Sequence, residues 1–207
     1  MKIIKPYHEI LTPIDGVQML KHIESCGRIC YKSEHKITDD SYRAFVKNII
    51  QKRHEAVLEH ASISVKFVCD RGVSHEIVRH RLASYCQEST RYCNYAKNDF
   101  HSEITVIKPF FLQENTLGYH IWEQSCKDAE IAYFDLLNFG CSAQEARTVL
   151  PNSLKTEIVM TADLREWRHF LKLRTSPSAH PQMREITIPL LDELKSQIPL
   201  VFDDIEG

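Results

Sequence analysis

His60-Ala61-Ser62-Ile63-Ser64-Val65-Lys66-Phe67-Val68-Cys69-Asp70 is the stretch on which the fold turns. Ile63, Val65, Phe67 and Cys69 fall on one side and Ser62, Ser64 and Lys66 on the other, which is the two-residue period of a half-buried strand. Upstream, residues 16–31 and 40–53 read as amphipathic helices, the second with Thr38, Asp39 and Asp40 as candidate caps, and both are expected to cover a sheet. Downstream, Gly72-Val73-Ser74 supplies a turn and cap for a short helix ending near Arg81. A strand at Ile104–Ile107 then precedes a long helix over 116–138 and a short one over 143–149, stopped by Pro151. A strand over 155–161 and helices over 164–174 and 182–197 complete the chain. Strands and helices mix without a regular βαβ rhythm, so the expected class is α+β, a mixed sheet flanked by helices in a single domain spanning 1–207.

Composition removes several function classes. The 26 basic and 28 acidic residues give a formal charge of −2, which argues against a protein that coats nucleic acid through a general positive field. Only six glycines are present, and no glycine-rich phosphate loop can be assembled from them, so phosphate would have to be held by side chains. Seven scattered cysteines, with no CxxC pair and no signal-like start, fit reduced thiols in a cytoplasm, and no metal site is read from them. No apolar run approaches the roughly 20 residues of a membrane span.

The strand feeds directly into Arg79-His80-Arg81-Leu82-Ala83-Ser84-Tyr85-Cys86-Gln87-Glu88-Ser89-Thr90-Arg91, a segment crowded with cations and hydrogen-bonding groups. On a helix, Arg79 and Arg81 would diverge by about 200° and serve two ligands, or a ligand and a neighbouring chain; a solvated helix end reads equally from RHR alone. If residues 86–91 are extended, Gln87, Ser89 and Arg91 share one face, offering amide, hydroxyl and guanidinium to a nucleotide's phosphate and base edge. A polar surface strand is the plain alternative.

Asp163-Leu164-Arg165-Glu166-Trp167-Arg168-His169-Phe170-Leu171-Lys172-Leu173-Arg174 opens with a capping-box spacing, Asp163 with Glu166. Trp167, Phe170, Leu171 and Arg174 fall at i, i+3, i+4 and i+7, so a guanidinium sits on an otherwise apolar face and calls for an anionic partner, unless it snorkels to solvent. Arg147, in Glu145-Ala146-Arg147-Thr148-Val149-Leu150-Pro151, poses the same question.

These residues together resemble the flavin-dependent thymidylate synthases, whose signature is RHR, seven residues, then a serine leading into an arginine and tyrosine; the chain has Arg79-His80-Arg81, seven intervening residues, Ser89, then Arg91-Tyr92. His54-Glu55, Glu59-His60 and the stretches ending at Pro151 and Arg174 extend the resemblance over about residues 40–190. It implies a cytoplasmic homotetramer with active sites between subunits. The reaction would methylate dUMP with methylenetetrahydrofolate as carbon donor and FAD, reduced by NADPH, as hydride carrier. By position, FAD would be held by His54, Arg79, His80, Arg81, Gln87, Asp163, Arg165 and His169, with Leu164 also lining it. The nucleotide dUMP would be held by Glu76, Arg79, Gln87, Glu88, Ser89, Thr90, Arg91, Arg147 and Arg174. Arg174 would be catalytic, raising electron density at C5 of the pyrimidine by favouring negative charge on N3 and O2. Ser89 falls to binding, since no histidine and carboxylate to activate it are visible in the sequence.

Five positions depart from the family pattern: Cys86-Gln87 where Asn-Glu is common, Ala56 where a hydroxyl is common, Glu76 for Gln and Asp163 for Asn. Two other readings stand beside the family one. Cys86 or Cys93, near cations that lower a thiol pKa, would serve a thiol-dependent nucleotide-modifying enzyme. Arg79, Arg81 and Arg91 would serve a non-enzymatic nucleic-acid-binding module, although the charge balance and the missing aromatic platform weigh against it.

Overall fold

Strand β3 (Ser62–Asp70) lies where the alternation puts it, and Ile63, Val65 and Phe67 are fully buried. In the computed structural model, which describes residues 1–96 and 102–207, its last three residues, Val68, Cys69 and Asp70, are all buried, so the alternation ends there. Strands β1 (Lys2–Ile4), β2 (Tyr7–Ile10), β4 (Ala83–Gln87), β5 (Thr105–Ile107) and β6 (Lys155–Asp163) complete two sheets, one of β1 and β5 in parallel, the other in the order β2-β3-β6-β4. The helices are α1 (Gly16–Ile29), α2 (Ser41–Gln51), α3 (Arg71–Ile77), α4 (Leu117–Asn138), α5 (Ala143–Ala146), α6 (Leu164–Arg174) and α7 (Pro181–Gln197). The α+β class is therefore as expected. The described chain divides into two compact units, Met1–Tyr7, Phe67–Arg79 and Cys86–Ile158 in the first, His8–Lys66, His80–Tyr85 and Val159–Gly207 in the second.

In the first unit β1 pairs in register with β5, Lys2 opposite Thr105 and Ile4 opposite Ile107, and Val106 bridges antiparallel to Leu154. Tyr95, Ile104, Val106, Cys126, Tyr133 and Leu154 form its core. Thr116 caps α4 by accepting from the Tyr119 amide, and the Ser142–Glu145 capping box starts α5, which tightens into a 3-10 turn at Arg147–Val149 before Pro151.

The second unit packs α1 against α2 and against the 3-10 turn Glu55–His60. Gly27 allows that approach, because a Cβ there would strike the Phe45 ring. Asp40 stands at the start of α2 without a side-chain cap, and the Ser41 hydroxyl bonds the Thr38 backbone ahead of the helix at 2.9 and 3.1 Å. Helix α6 is tied to β3 by the Leu164 amide donating to the Ala61 carbonyl (2.9 Å) and the Trp167 indole donating to the Ile63 carbonyl (3.1 Å). Arg168, only 1% exposed, is held by Glu55 (3.1 Å), by both oxygens of Asp204 (2.6 and 2.8 Å) and by the Val201 carbonyl. That one guanidinium fastens the 3-10 turn and the segment 201–204 to α6.

Two sequence expectations are corrected here. Helix α3 stops at Ile77, so Arg79, His80 and Arg81 lie beyond it, in a turn and then irregular chain, and the divergence expected of helical neighbours does not apply. The extended run also ends early. Strand β4 stops at Gln87, and the Tyr92 and Cys93 amides both donate to the Ser89 carbonyl, so Ser89 to Arg91 turn instead of alternating.

Candidate active site

The first unit gathers the residues assigned by resemblance to the nucleotide, except Arg174, which belongs to the second. Gln87 points inward: its amide nitrogen donates to Ser74 Oγ (3.0 Å) and Thr156 Oγ1 (3.2 Å), both fully buried hydroxyls. Ser74 donates its own proton to the Arg71 carbonyl (2.9 Å), so its oxygen is left to accept from Gln87. Glu88 is half-buried and engaged on both oxygens, by the Tyr95 hydroxyl (3.1 Å) and by Lys155 Nζ (3.0 Å), with Glu157 on the far side of the lysine at 2.6 Å. Ser89 Oγ accepts from the Arg91 amide and so shapes the turn. Thr90 is buried, and its hydroxyl accepts from Arg147 Nη1 at 3.3 Å, joining the signature loop to the 3-10 turn after α5. Arg91 and Arg147 are exposed, as is Arg79, while Glu76 is half-buried on α3.

Cys93 does not fit the thiol reading. Burial and then the Glu88 charge push its pKa up, against the lowering a thiolate nucleophile needs.

The second unit holds most of the residues assigned to the flavin. His54 stands exposed at the head of the 3-10 turn, next to exposed Ala56. Asp163 caps α6 by accepting from the Glu166 amide (2.8 Å), and exposed Arg165 pairs with Glu59 at 2.5 Å. Arg81 and His169 are exposed. Leu164, by contrast, is fully buried, so its side chain serves the core. An open groove of about 630 Å³ runs along Leu82, Asp163, Arg165, Glu166 and His169, and a second of about 870 Å³ lies beside His54, Ala56 and Arg53; Arg165 lines both.

The same unit holds a buried relay that the sequence does not announce. His80 (5% exposed) sets Nδ1 against Glu166 Oε1 at 3.2 Å, and Arg174 Nε reaches His80 Nε2 at 3.1 Å. Phe170 presents an edge-on contact to the imidazole at 4.8 Å. Burial first, then the charges of Arg174 and His169, lower the His80 pKa to about 4, and burial raises that of Glu166. At neutral pH the His80–Glu166 contact is thus a hydrogen bond from a neutral ring, not an ion pair. Arg174 Nε thus donates to an uncharged imidazole.

His80, Glu166 and His169 also bring three potential ligand atoms within 4.8 Å, the one such group among the described residues. A cation there would face the Arg174 guanidinium and would have to take the Nε2 lone pair that Arg174 uses, so the donor set suits a hydrogen-bond relay better than a metal centre.

A pH consequence follows from the buried ring. An unfolded histidine takes up its proton near pH 6.5, whereas His80 resists until about pH 4, so the unfolded state binds more protons in that window. Stability is expected to fall as pH drops from about 6.5 to about 4, read as a declining denaturant midpoint; His80→Gln should flatten that slope.

The fold is one that a nucleotide methylase uses. The crystal structure of the UMP/dUMP methylase PolB from Streptomyces cacaoi, bound with 5-Br dUMP, superposes with a TM-score of 0.79 over 98% of this chain and 96% of that one, at 20% sequence identity, a likeness of fold. A family model described as thymidylate synthase complementing protein matches residues 15–200, so the chain belongs to that family of enzymes, the flavin-dependent thymidylate synthases. The Mycolicibacterium gilvum flavin-dependent thymidylate synthase is 34% identical over 97% of this chain and 84% of its own length. That of Pyrococcus abyssi is 33% identical over 79% of this chain, which spans 66% of the archaeal protein. Among the described residues no helix is long and apolar enough to cross a membrane.

Proposed function

We propose that this chain, acting as one catalytic domain in a homotetramer with sites between subunits, methylates dUMP to dTMP with methylenetetrahydrofolate as carbon donor and NADPH as reductant. The observation that carries this reading is the bond from Arg147 to Thr90. It brings a second guanidinium to the loop that already presents Arg91, and two such forks suit a nucleotide monophosphate.

The donor set of the second unit fits FAD. Exposed Arg81, Arg165, His54 and His169 supply cations and donors for a pyrophosphate in a chain without a glycine-rich loop, and exposed Leu82 offers an apolar edge to a ring system. When bound, the flavin supplies hydride chemistry that no side chain can perform. Asp163 and Glu59 orient Arg165 and the start of α6, while exposed Arg79, in the turn after α3, would contact either ligand. Arg174 stabilises negative charge developing on the uracil ring, and it enters that task already oriented by His80.

The test is direct. Purified protein is expected to carry, or take up, a flavin whose absorbance bleaches with NADPH under anaerobic conditions, and to form dTMP when dUMP and methylenetetrahydrofolate are supplied. A colourless protein that cannot be reconstituted with FAD and makes no dTMP would defeat the reading. Retention on heparin by such a protein would favour the nucleic-acid alternative.

A further inference from the structure

The relay in the second unit has a direction, and the direction assigns a role to a residue outside the set read from the signature. A guanidinium has five N–H donors and no acceptor, so in the Arg174–His80 contact the arginine must donate and His80 Nε2 must offer its lone pair. A neutral imidazole carries one N–H, which is then on Nδ1, facing Glu166 Oε1 at 3.2 Å. A carboxylate can only accept. Every donor therefore points the same way, from Arg174 through His80 to Glu166. The geometry is restrained on all sides: Glu166 is 6% exposed, the ring is 5% exposed, Phe170 packs edge-on against it, and the Tyr85 hydroxyl donates to the His80 carbonyl at 2.6 Å. Glu166 and Arg174 stand eight positions apart on α6, about 12 Å of helix rise, and His80 spans them from a different part of the chain.

We infer that Glu166 is a positioning residue for Arg174: by accepting from Nδ1 it fixes the His80 tautomer whose bare Nε2 holds the guanidinium in its working orientation. Without that carboxylate the Nδ1 proton has no acceptor, and the Arg174 donor alone is left to favour this tautomer. A proton moved to Nε2 would set two N–H groups against each other and remove the contact that orients Arg174 Nε. A shift of the order of 1 Å in a group aimed at a reacting centre costs about 10²-fold in rate. The kinetic half of this inference rests on the proposed function; the tautomer half does not.

The experiment uses the flavin-loaded protein labelled with ¹⁵N-histidine, observed by magic-angle-spinning NMR, with the His80 signals assigned by their loss in His80→Asn. Wild type is expected to show a protonated Nδ1 and an unprotonated Nε2 at neutral pH. Glu166→Ala is expected to lose that pattern, retain flavin, and lose kcat by about 10–100-fold with a much smaller change in the KM for dUMP. Glu166→Gln, whose carbonyl can still accept from Nδ1, is expected to recover much of that loss. A wild-type His80 protonated on Nε2, or doubly protonated, overturns the inference whether or not the variants fold. So does Glu166→Ala with an unaltered tautomer and full turnover. If the wild type makes no dTMP at all, the proposed function fails while the tautomer measurement still decides the relay.

Discussion

Arg174→Ala protein is expected to hold its flavin and lose turnover by on the order of 10²–10³-fold, the usual consequence of removing a donor aimed at developing charge. The two readouts separate the uracil role from a structural one. Arg174 closes α6, where Trp167, Phe170 and Leu171 already bury the helix's apolar face, so the truncation leaves the core intact. It removes the donor to His80, whose ring stays pinned by Phe170 and Glu166. Flavin absorbance and the melting profile should therefore change little while dTMP formation collapses. Normal turnover in this variant would refute the assignment.

The second large effect is on stability. Arg168→Ala is expected to destabilise the protein by about 1–3 kcal/mol, less than the loss of a wholly buried ion pair, because Asp204 is half-exposed and keeps Lys172. Glu55 and Asp204 would lose their shared cation, and the Val201 carbonyl would lose its donor. Because Arg168 joins the 3-10 turn beside His54 to the segment 201–204, weakened flavin uptake is expected to accompany the lower denaturant midpoint. The Arg168 contact holds the Asp204 carboxyl down at about 2, so this clamp's contribution is present above the usual carboxylate pKa of 3.8 and fades only as pH falls toward 2. An unchanged midpoint would show that the cluster is stabilised no better than an exposed pair.

What the sequence reveals is what local pattern controls. Strand β3 was legible because each alternate side chain meets a different environment, and α6 because Asp163 caps it and Trp167, Phe170 and Leu171 share one face. Strands β1 and β2 were not, being three and four residues long with lysine and histidine among them. The end of α3 and the turn at Ser89 were misjudged because the backbone bonds that set them compete with local propensity only once the chain has folded. The candidate site divides in the same way. Arg79, Arg91, Arg147 and Arg174 could be marked as cations in unusual places. Glu166 could not, since its spacing from Asp163 already had a sufficient explanation in helix capping, and its partner His80 is 86 positions away. Arg168 hid among exposed-looking charges for the same reason: Glu55 lies 113 positions from it.

The amide at position 87 carries a lesson about inheritance. Ser74 has spent its only proton on the Arg71 carbonyl, so the group facing it must be a donor, and an amide meets that demand where a carboxylate would set lone pair against lone pair. Restoring the family's common glutamate by Gln87→Glu would thus be a lesion in this background, and its cost should shrink when Ser74→Ala is made alongside, with a coupling of about 0.5–3 kcal/mol in a double-mutant cycle. Positions 74 and 87 would then be epistatic, free to drift only as a pair.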